Sequence, residues 1–155
     1  MEIEHKYLVS GPYKHLAVDK VHIVQGYLSD DPVRTVRIRI RDGKAWLTVK
    51  GGSSSDGLSR YEWETAVADS DAENLLALCL PGVIDKHRYL VPWHGHTWEV
   101  DEFHGHLEGL VLAELEVPSV ETTFPVPPFV GQEVTGDIRY YNSQLRKAAA
   151  PPSSV

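Results

Sequence analysis

The sequence predicts an α+β, mainly β domain in which eight antiparallel strands close into a barrel with a polar, charged lumen and a few flanking helices. Eight segments alternate apolar and polar residues with the period of two that strands require, near residues 2–9, 21–29, 34–41, 44–50, 60–67, 84–92, 96–103 and 110–117. Short turn signals join several of them. The third observation is that charge is sorted by strand face, acids on some strands and arginines on another.

The first strand opens with Glu2-Ile3-Glu4-His5-Lys6. Alternation puts Glu2, Glu4 and Lys6 on one side, successive ones ~7 Å apart, with Ile3 and Tyr7 on the other. The same acid-x-acid spacing returns at Glu62-Trp63-Glu64, Glu99-Val100-Asp101 and Glu114-Leu115-Glu116, and its cationic counterpart is Arg37-Ile38-Arg39-Ile40-Arg41. One such pair would be an ordinary strand with its polar face in water. Four acidic pairs and an arginine row instead argue for a shared interior.

Asp42-Gly43 and His94-Gly95 are two-residue hairpin loops, so the strands they join are antiparallel neighbours. Gly51 to Gly57 is rich in glycine and serine, lacks the G-K-[ST] of a phosphate-binding loop, and reads as a flexible connection. Helix signals occur twice. Asp69-Ser70-Asp71 begins a leucine-rich run that Pro81-Gly82 ends, and a second helix is expected from Thr135 to Lys147. Closing eight strands into a barrel removes exposed edges. If the charged faces look inward, the apolar outer faces need helices or another subunit as cover. Residues 1–147 form one domain, and residues 148–155, with Pro151-Pro152, form a flexible tail.

Composition narrows the functional classes. A formal charge of −7 over 155 residues argues against general coating of nucleic acid, which needs a positive surface. The single cysteine, Cys79, excludes an intramolecular disulfide framework and a cysteine-based zinc cluster. No apolar run approaches ~18 residues, which argues against a membrane helix. The acidic opening residues do not look like a secretory signal, so a cytoplasmic protein is expected. His94-Gly95-His96 and His104-Gly105-His106 could present histidines to zinc, but glycine between them favours surface turns. Two anions and a cation converging on one strand face suit a divalent metal beside a polyanion.

These residues, taken in order, resemble the CYTH superfamily, the triphosphate tunnel metalloenzymes, and most closely its inorganic triphosphatase branch. The likeness runs from Glu2 to about Arg146. It rests on Glu2-x-Glu4-x-Lys6, Gln25-Gly26-Tyr27-Leu28, Arg37-x-Arg39, Thr48-Val49-Lys50, Arg60-Tyr61-Glu62-Trp63-Glu64, Lys86-His87-Arg88-Tyr89, Glu99-Val100-Asp101-Glu102-Phe103, Glu114-Leu115-Glu116 and Val134-Thr135 through Arg139-Tyr140-Tyr141-Asn142. His5 stands where arginine is frequent and Tyr7 where phenylalanine is common; alternation places His5 outside the lumen.

The resemblance implies an eight-stranded tunnel, dependence on a divalent metal and a triphosphate-bearing ligand. Arginine forks and lysine point charges match phosphate oxygens, and Lys6, Arg37, Arg39, Lys50 and Arg88 are the substrate-binding candidates. Carboxylates beside a polyanion need an intervening cation, and hard oxygen donors select Mg²⁺ or Mn²⁺. Glu2, Glu4, Glu114 and Glu116 are the expected ligands, with Glu62, Glu64 and Asp101 as second-site candidates; the alternative is salt-bridging to the same arginines. Lys86 and Tyr27 match a catalytic dyad, in which a desolvated Lys86 among other cations acts as general base on water and Tyr27 orients its amine by a hydrogen bond.

The implied reaction is hydrolysis of inorganic triphosphate to pyrophosphate and phosphate. Class IV adenylate cyclase, hydrolysis of thiamine triphosphate or ATP, and a non-catalytic polyphosphate- or nucleotide-binding module are the alternatives. Neither nucleic acid nor membrane is an expected partner. The oligomeric state stays open, with a homodimer motivated by the outer apolar faces. The helix from Thr135 is expected to plug one end of the tunnel, which would favour a small substrate without a nucleoside.

Overall fold

A computed structural model describes residues 1–153. The strands are β1 (Glu2–Val9), β2 (Asp19–Ser29), β3 (Arg34–Arg41), β4 (Lys44–Ser53), β5 (Ser59–Val67), β6 (Ile84–Trp93), β7 (His96–Phe103), β8 (Val111–Glu116) and β9 (Val130–Glu133); the helices are α1 (Asp69–Ala77) and α2 (Asn142–Leu145). The sheet order is β5-β4-β3-β2-β6-β7-β8-β1-β9, and an additional β5–β1 pairing closes it. That seam is short: Glu2 pairs with Arg60 and Ile3 with Ser59, and the Glu4 amide donates to the Leu58 carbonyl. No helix among the described residues is long and apolar enough to cross a membrane.

All eight expected strands form, and all the strand pairs in the barrel are antiparallel. Asp42 and Gly43 (φ 47° and 80°) and His94 and Gly95 (φ 48° and 82°) adopt left-handed backbone, which matches the twist of a tight hairpin. The His-Gly-His segments are therefore turns, as their glycines suggest. His104 pairs instead with His87 on the outer wall, Nε2 to Nδ1 at 2.7 Å.

Four expectations are corrected. A ninth strand, β9, follows the proline-spaced loop and pairs with the end of β1, through Tyr7 to Glu133 and Val9 to Val130. The Gly51–Gly57 segment is no loose connection: β4 continues to Ser53, and the turn beyond it is held by Ser54 bonding Ser59 and Asp56. Residues 135–147 do not form one helix. They make a 3-10 turn over Ile138–Tyr140 and the four-residue α2, because Tyr141 is extended between them (φ −68°, ψ 131°). Cover for the outer faces comes mainly from loops. Tyr13 of one loop and Phe124 and Phe129 of another pack on Tyr7, Tyr89, Trp98, Val100 and Leu115.

α1 packs across the outer face of β2, β3 and β4. It lies so close to β2 that a Cβ on Gly26 would sit 2.9 Å from Cys79. The outer face of β5 is bare, with Tyr61 and Trp63 exposed. Beyond α2, Ala148 packs against the apolar cluster around Leu145, and the Ser153 carbonyl accepts from Arg139. Residues 154 and 155 of the expected tail lie outside the described residues.

Apolar side chains also seal one end of the lumen. Leu8, Ile84, Phe103 and Leu112 share strand parity with the charged residues, yet they cluster with Val134, Tyr140 and Leu145. The C-terminal segment is thus a stopper with an apolar underside, although it is not the single helix expected from Thr135. It is tied down by polar bonds as well: the Val134 amide to the Lys6 carbonyl, the Lys6 amide to Thr135 Oγ1, and Tyr141 to Ser53. Gly57 and Gly136, at φ 76° and 78°, meet backbone to backbone, and a Cβ on Gly57 would lie only 2.5 Å from Gly136 Cα.

Candidate active site

The charged faces do look inward. Of the residues expected at the site, Glu2, Glu4, Lys6, Tyr27, Arg37, Arg39, Lys50, Glu62, Glu64, Lys86, Arg88, Glu114 and Glu116 all line one cavity, joined by Thr135, Gly136, Tyr141, Asn142 and Ser143 of the stopper. Asp101, the remaining one, is fully buried in the wall beside it. Strand register explains the clustering. Glu4 lies opposite Glu116, Lys6 opposite Glu114, Glu99 opposite Glu114, Arg88 opposite Asp101, and Lys50 opposite Glu62. Opposite signs thus meet across several strand pairs, and like signs meet where a cation would be needed between them.

Three carboxylates converge most closely. Oxygens of Glu4, Glu99 and Glu114 lie within 4.8 Å of one another. Burial, reinforced by Glu114 and Glu2, drives the Glu4 carboxyl well above its ordinary pKa. Glu114 is pushed up by burial too, but Lys6, Arg88 and Lys86 outweigh this and hold it at about 2. A crowded set of hard oxygen donors, one of them reluctant to ionise, fits a divalent cation. Glu99 was not among the expected ligands, although it belongs to one of the recurring acidic pairs.

Asp101, its partner in that pair, is committed elsewhere. Oδ1 and Oδ2 accept from Arg88 Nε and NH2 at 2.8 and 2.9 Å, and Oδ2 lies 2.7 Å from Lys86 Nζ. Both of its oxygens are therefore engaged by cations of the protein. The other candidate acids are distributed along the wall. Glu2 and Glu62 flank Lys50 at 3.0 and 3.4 Å, and Glu64 accepts from Thr48 while lying 3.6 Å from Arg37. Burial raises Glu116, helped by Glu2 and Glu99.

The cations are not all neutralised. Arg88 is: its third nitrogen, NH1, donates to Glu99 at 2.9 Å. Arg39 differs, because Nε donates to the neutral Gln25 Oε1 at 2.8 Å and, among its charged neighbours, Arg37 and Arg88 act on it more strongly than Asp101. Burial and those two cations pull its basicity down to about 9, which still leaves it charged at neutral pH. A half-buried guanidinium without an ion-paired carboxylate favours an anionic ligand.

Lys86 is fully buried. Burial lowers its pKa to about 7, with Arg88 and Arg39 adding to the shift and Asp101 opposing it. Its amine donates to Asn142 Oδ1 at 2.9 Å. The hydrogen bond expected from Tyr27 takes a different form: Tyr27 OH accepts from Gln25 Nε2 at 3.1 Å, and Gln25 Nε2 also donates to Asn142 Oδ1 at 3.0 Å. Tyrosine and lysine are thus joined through two amides.

The open volume of the cavity is about 230 Å³. That falls below the roughly 300–1,000 Å³ usual for drug-sized ligands, so it suits a compact ligand. A second depression, lined by Arg39, Arg41, Lys44 and Trp46, adjoins it at the β3–β4 hairpin.

A closed barrel whose wall carries paired charges of both signs around a small cavity defines a class of protein, and the chain belongs to it: residues 1–135 match the CYTH domain family. Within that class it is 47% identical over 148 residues to an inorganic triphosphatase of Acetivibrio thermocellus, covering 94% of this chain and 93% of that protein. It is 35% identical over 150 residues to an inorganic triphosphatase of Nitrosomonas europaea, covering 93% and 95% respectively. A crystal structure of an inorganic triphosphatase superposes with a TM-score of 0.69 at 31% identity, covering 96% of this chain and 95% of the other. A Hippeastrum protein described as having a dominant triphosphatase activity shares the fold at 17% identity, with a TM-score of 0.62 over 77% of this chain and 80% of that one.

Proposed function

We propose that this chain is a metal-dependent hydrolase that cleaves inorganic triphosphate to pyrophosphate and phosphate. The observation that carries the reading is the pairing of a small, one-end-sealed lumen with a buried cationic set beside a three-carboxylate cluster. A triphosphate supplies the negative charge that Arg39 lacks as a partner, and Arg37, Lys6 and Lys50 lie along the same wall. Arg88 orders the site by fixing Asp101 and Glu99.

Glu4, Glu99 and Glu114 would hold the cation, Mg²⁺ or Mn²⁺ by the hardness of the donors. When bound, such an ion neutralises charge on the phosphoryl oxygens. Lys86, neutral above about pH 7, accepts the proton of the attacking water. The water oxygen bonds to the terminal phosphorus as the bridging P–O bond breaks, and pyrophosphate leaves with that bond's electrons. Because Tyr27 OH already accepts from Gln25, its own hydrogen is free to reach a phosphoryl oxygen.

Product analysis tests this reading. Inorganic triphosphate, ATP and thiamine triphosphate are incubated separately with Mg²⁺ or Mn²⁺, and the products are separated. Inorganic triphosphate should be consumed fastest, giving equal amounts of pyrophosphate and phosphate. Cyclic AMP released from ATP at a comparable rate would establish a cyclase instead, and absence of turnover with tight triphosphate binding would establish a binding module.

A further inference from the structure

We propose that Gln25 and Asn142 are positioning residues for the reaction: their side-chain amides link Tyr27 to Lys86 and make the C-terminal stopper part of the catalytic arrangement. The inference rests on the reading of Lys86 as the base.

The four groups come from three segments of the chain. Gln25 and Tyr27 lie two apart on β2 and so share a face, Lys86 is on β6, and Asn142 opens α2 in the stopper. Gln25 is completely buried, and every polar function of its amide is used. Oε1 accepts from Arg39 Nε, which leaves Nε2 as the donor to both Tyr27 OH and Asn142 Oδ1. Asn142 Oδ1 in turn accepts from Gln25 and from Lys86 Nζ. A satisfied network in a buried site holds its members in one arrangement.

Without Asn142 the Lys86 amine would keep only Asp101 as a hydrogen-bond partner in the wall and would be drawn toward it. A displacement of about 1 Å at a reacting group can cost on the order of 100-fold in rate. Docking of the stopper does not depend on Asn142 alone, because the apolar underside and the Lys6, Ser53 and Asp30 contacts remain.

The test compares Asn142→Ala, Asn142→Asp and Lys86→Ala with the unaltered chain, using inorganic triphosphate and Mg²⁺. Asn142→Ala is expected to lower kcat by roughly tenfold or more while KM stays within about twofold. Asn142→Asp keeps the shape but adds an anion facing Lys86, which is already faced by Asp101, Arg88, Arg39 and Glu114. The rising limb of kcat/KM against pH should therefore move about one unit alkaline. A stopper-docking role alone would raise KM and lower Tm, leaving kcat and the limb in place. That result overturns the inference, as does wild-type kcat in Asn142→Ala with Lys86→Ala inactive. If Lys86→Ala keeps its rate, the base assignment itself falls.

Discussion

Lys86 Nζ lies 2.7 Å from Asp101 Oδ2 with both side chains fully buried, and Arg88 closes on the same carboxylate from two residues along β6. One anion thus supports two cations inside the wall. Breaking a buried pair by removing one partner typically costs about 3–5 kcal/mol, because the remaining charge is left unpaired. Asp101→Ala should therefore lower the unfolding free energy by about 3 kcal/mol or more at pH 7. Urea denaturation read by circular dichroism checks this; a loss under about 1 kcal/mol would mean that water or other acids take over the role.

Activity should rise with pH through neutrality. Burial favours the uncharged amine of Lys86, so its proton is lost near pH 7 in place of the ordinary value of 10.5. The base is competent above that point and blocked below it, so kcat/KM should climb between about pH 6 and 8 and level off toward pH 9. Substrate ionisation is common to all variants, so the comparison with Lys86→Ala isolates the lysine. A residual rate in that variant showing the same limb would assign the limb to another group.

Metal affinity should also increase with pH. Burial and its acidic neighbours raise the Glu4 carboxyl well above its ordinary value, and it must ionise to act as a ligand. Titration calorimetry with Mn²⁺ in two buffers of different ionisation enthalpy should reveal a released proton, and the affinity should be weaker at pH 5.5 than at pH 7.5. Equal affinity at both values would place the ion away from Glu4.

Glu99→Gln is the sharpest test of the three-carboxylate cluster, because Glu99 also accepts from Arg88 NH1 and a glutamine oxygen can keep that bond. The Mg²⁺ concentration giving half-maximal activity should rise tenfold or more, a scale that removal of even an outer-shell partner reaches. An unchanged metal requirement would remove Glu99 from the ligand set.

Gly26 gives a prediction about packing. A methyl there would press on Cys79 at 2.9 Å and Leu76 at 3.1 Å. Gly26→Ala should cost about 1–3 kcal/mol as α1 is pushed off the sheet. The lumen lies on the opposite side of β2, so the rate per folded molecule should hold. Thermal unfolding alongside steady-state kinetics separates the two effects.

Much of this was legible in the sequence because strand alternation has a period of two. Once Glu4, Arg39 and Glu116 are assigned to one face, barrel closure makes that face common to all strands. What alternation cannot supply is the register across strands. Glu99 and Asp101 share a face and both meet Arg88, but only the register decides that Asp101 is also held by Lys86 while Glu99 lies near Glu4 and Glu114. The same limit hid Gln25 and Asn142, neutral residues 117 positions apart whose meeting depends on tertiary structure. β9 was missed because four residues after a proline-rich loop carry too little periodicity to read. The expected helix over 135–147 broke at Tyr141, whose extended backbone sets Asn142 into the cavity and Tyr140 into the apolar seal.

The contact of Gly57 with Gly136 works as a clasp between the β4–β5 turn and the stopper, and it closes only because neither residue has a side chain. A chain with alanine or anything larger at either position would leave that rim ajar. The fit of the stopper at this rim thus depends on two missing methyl groups, each next in the chain to an acid, Asp56 or Asp137.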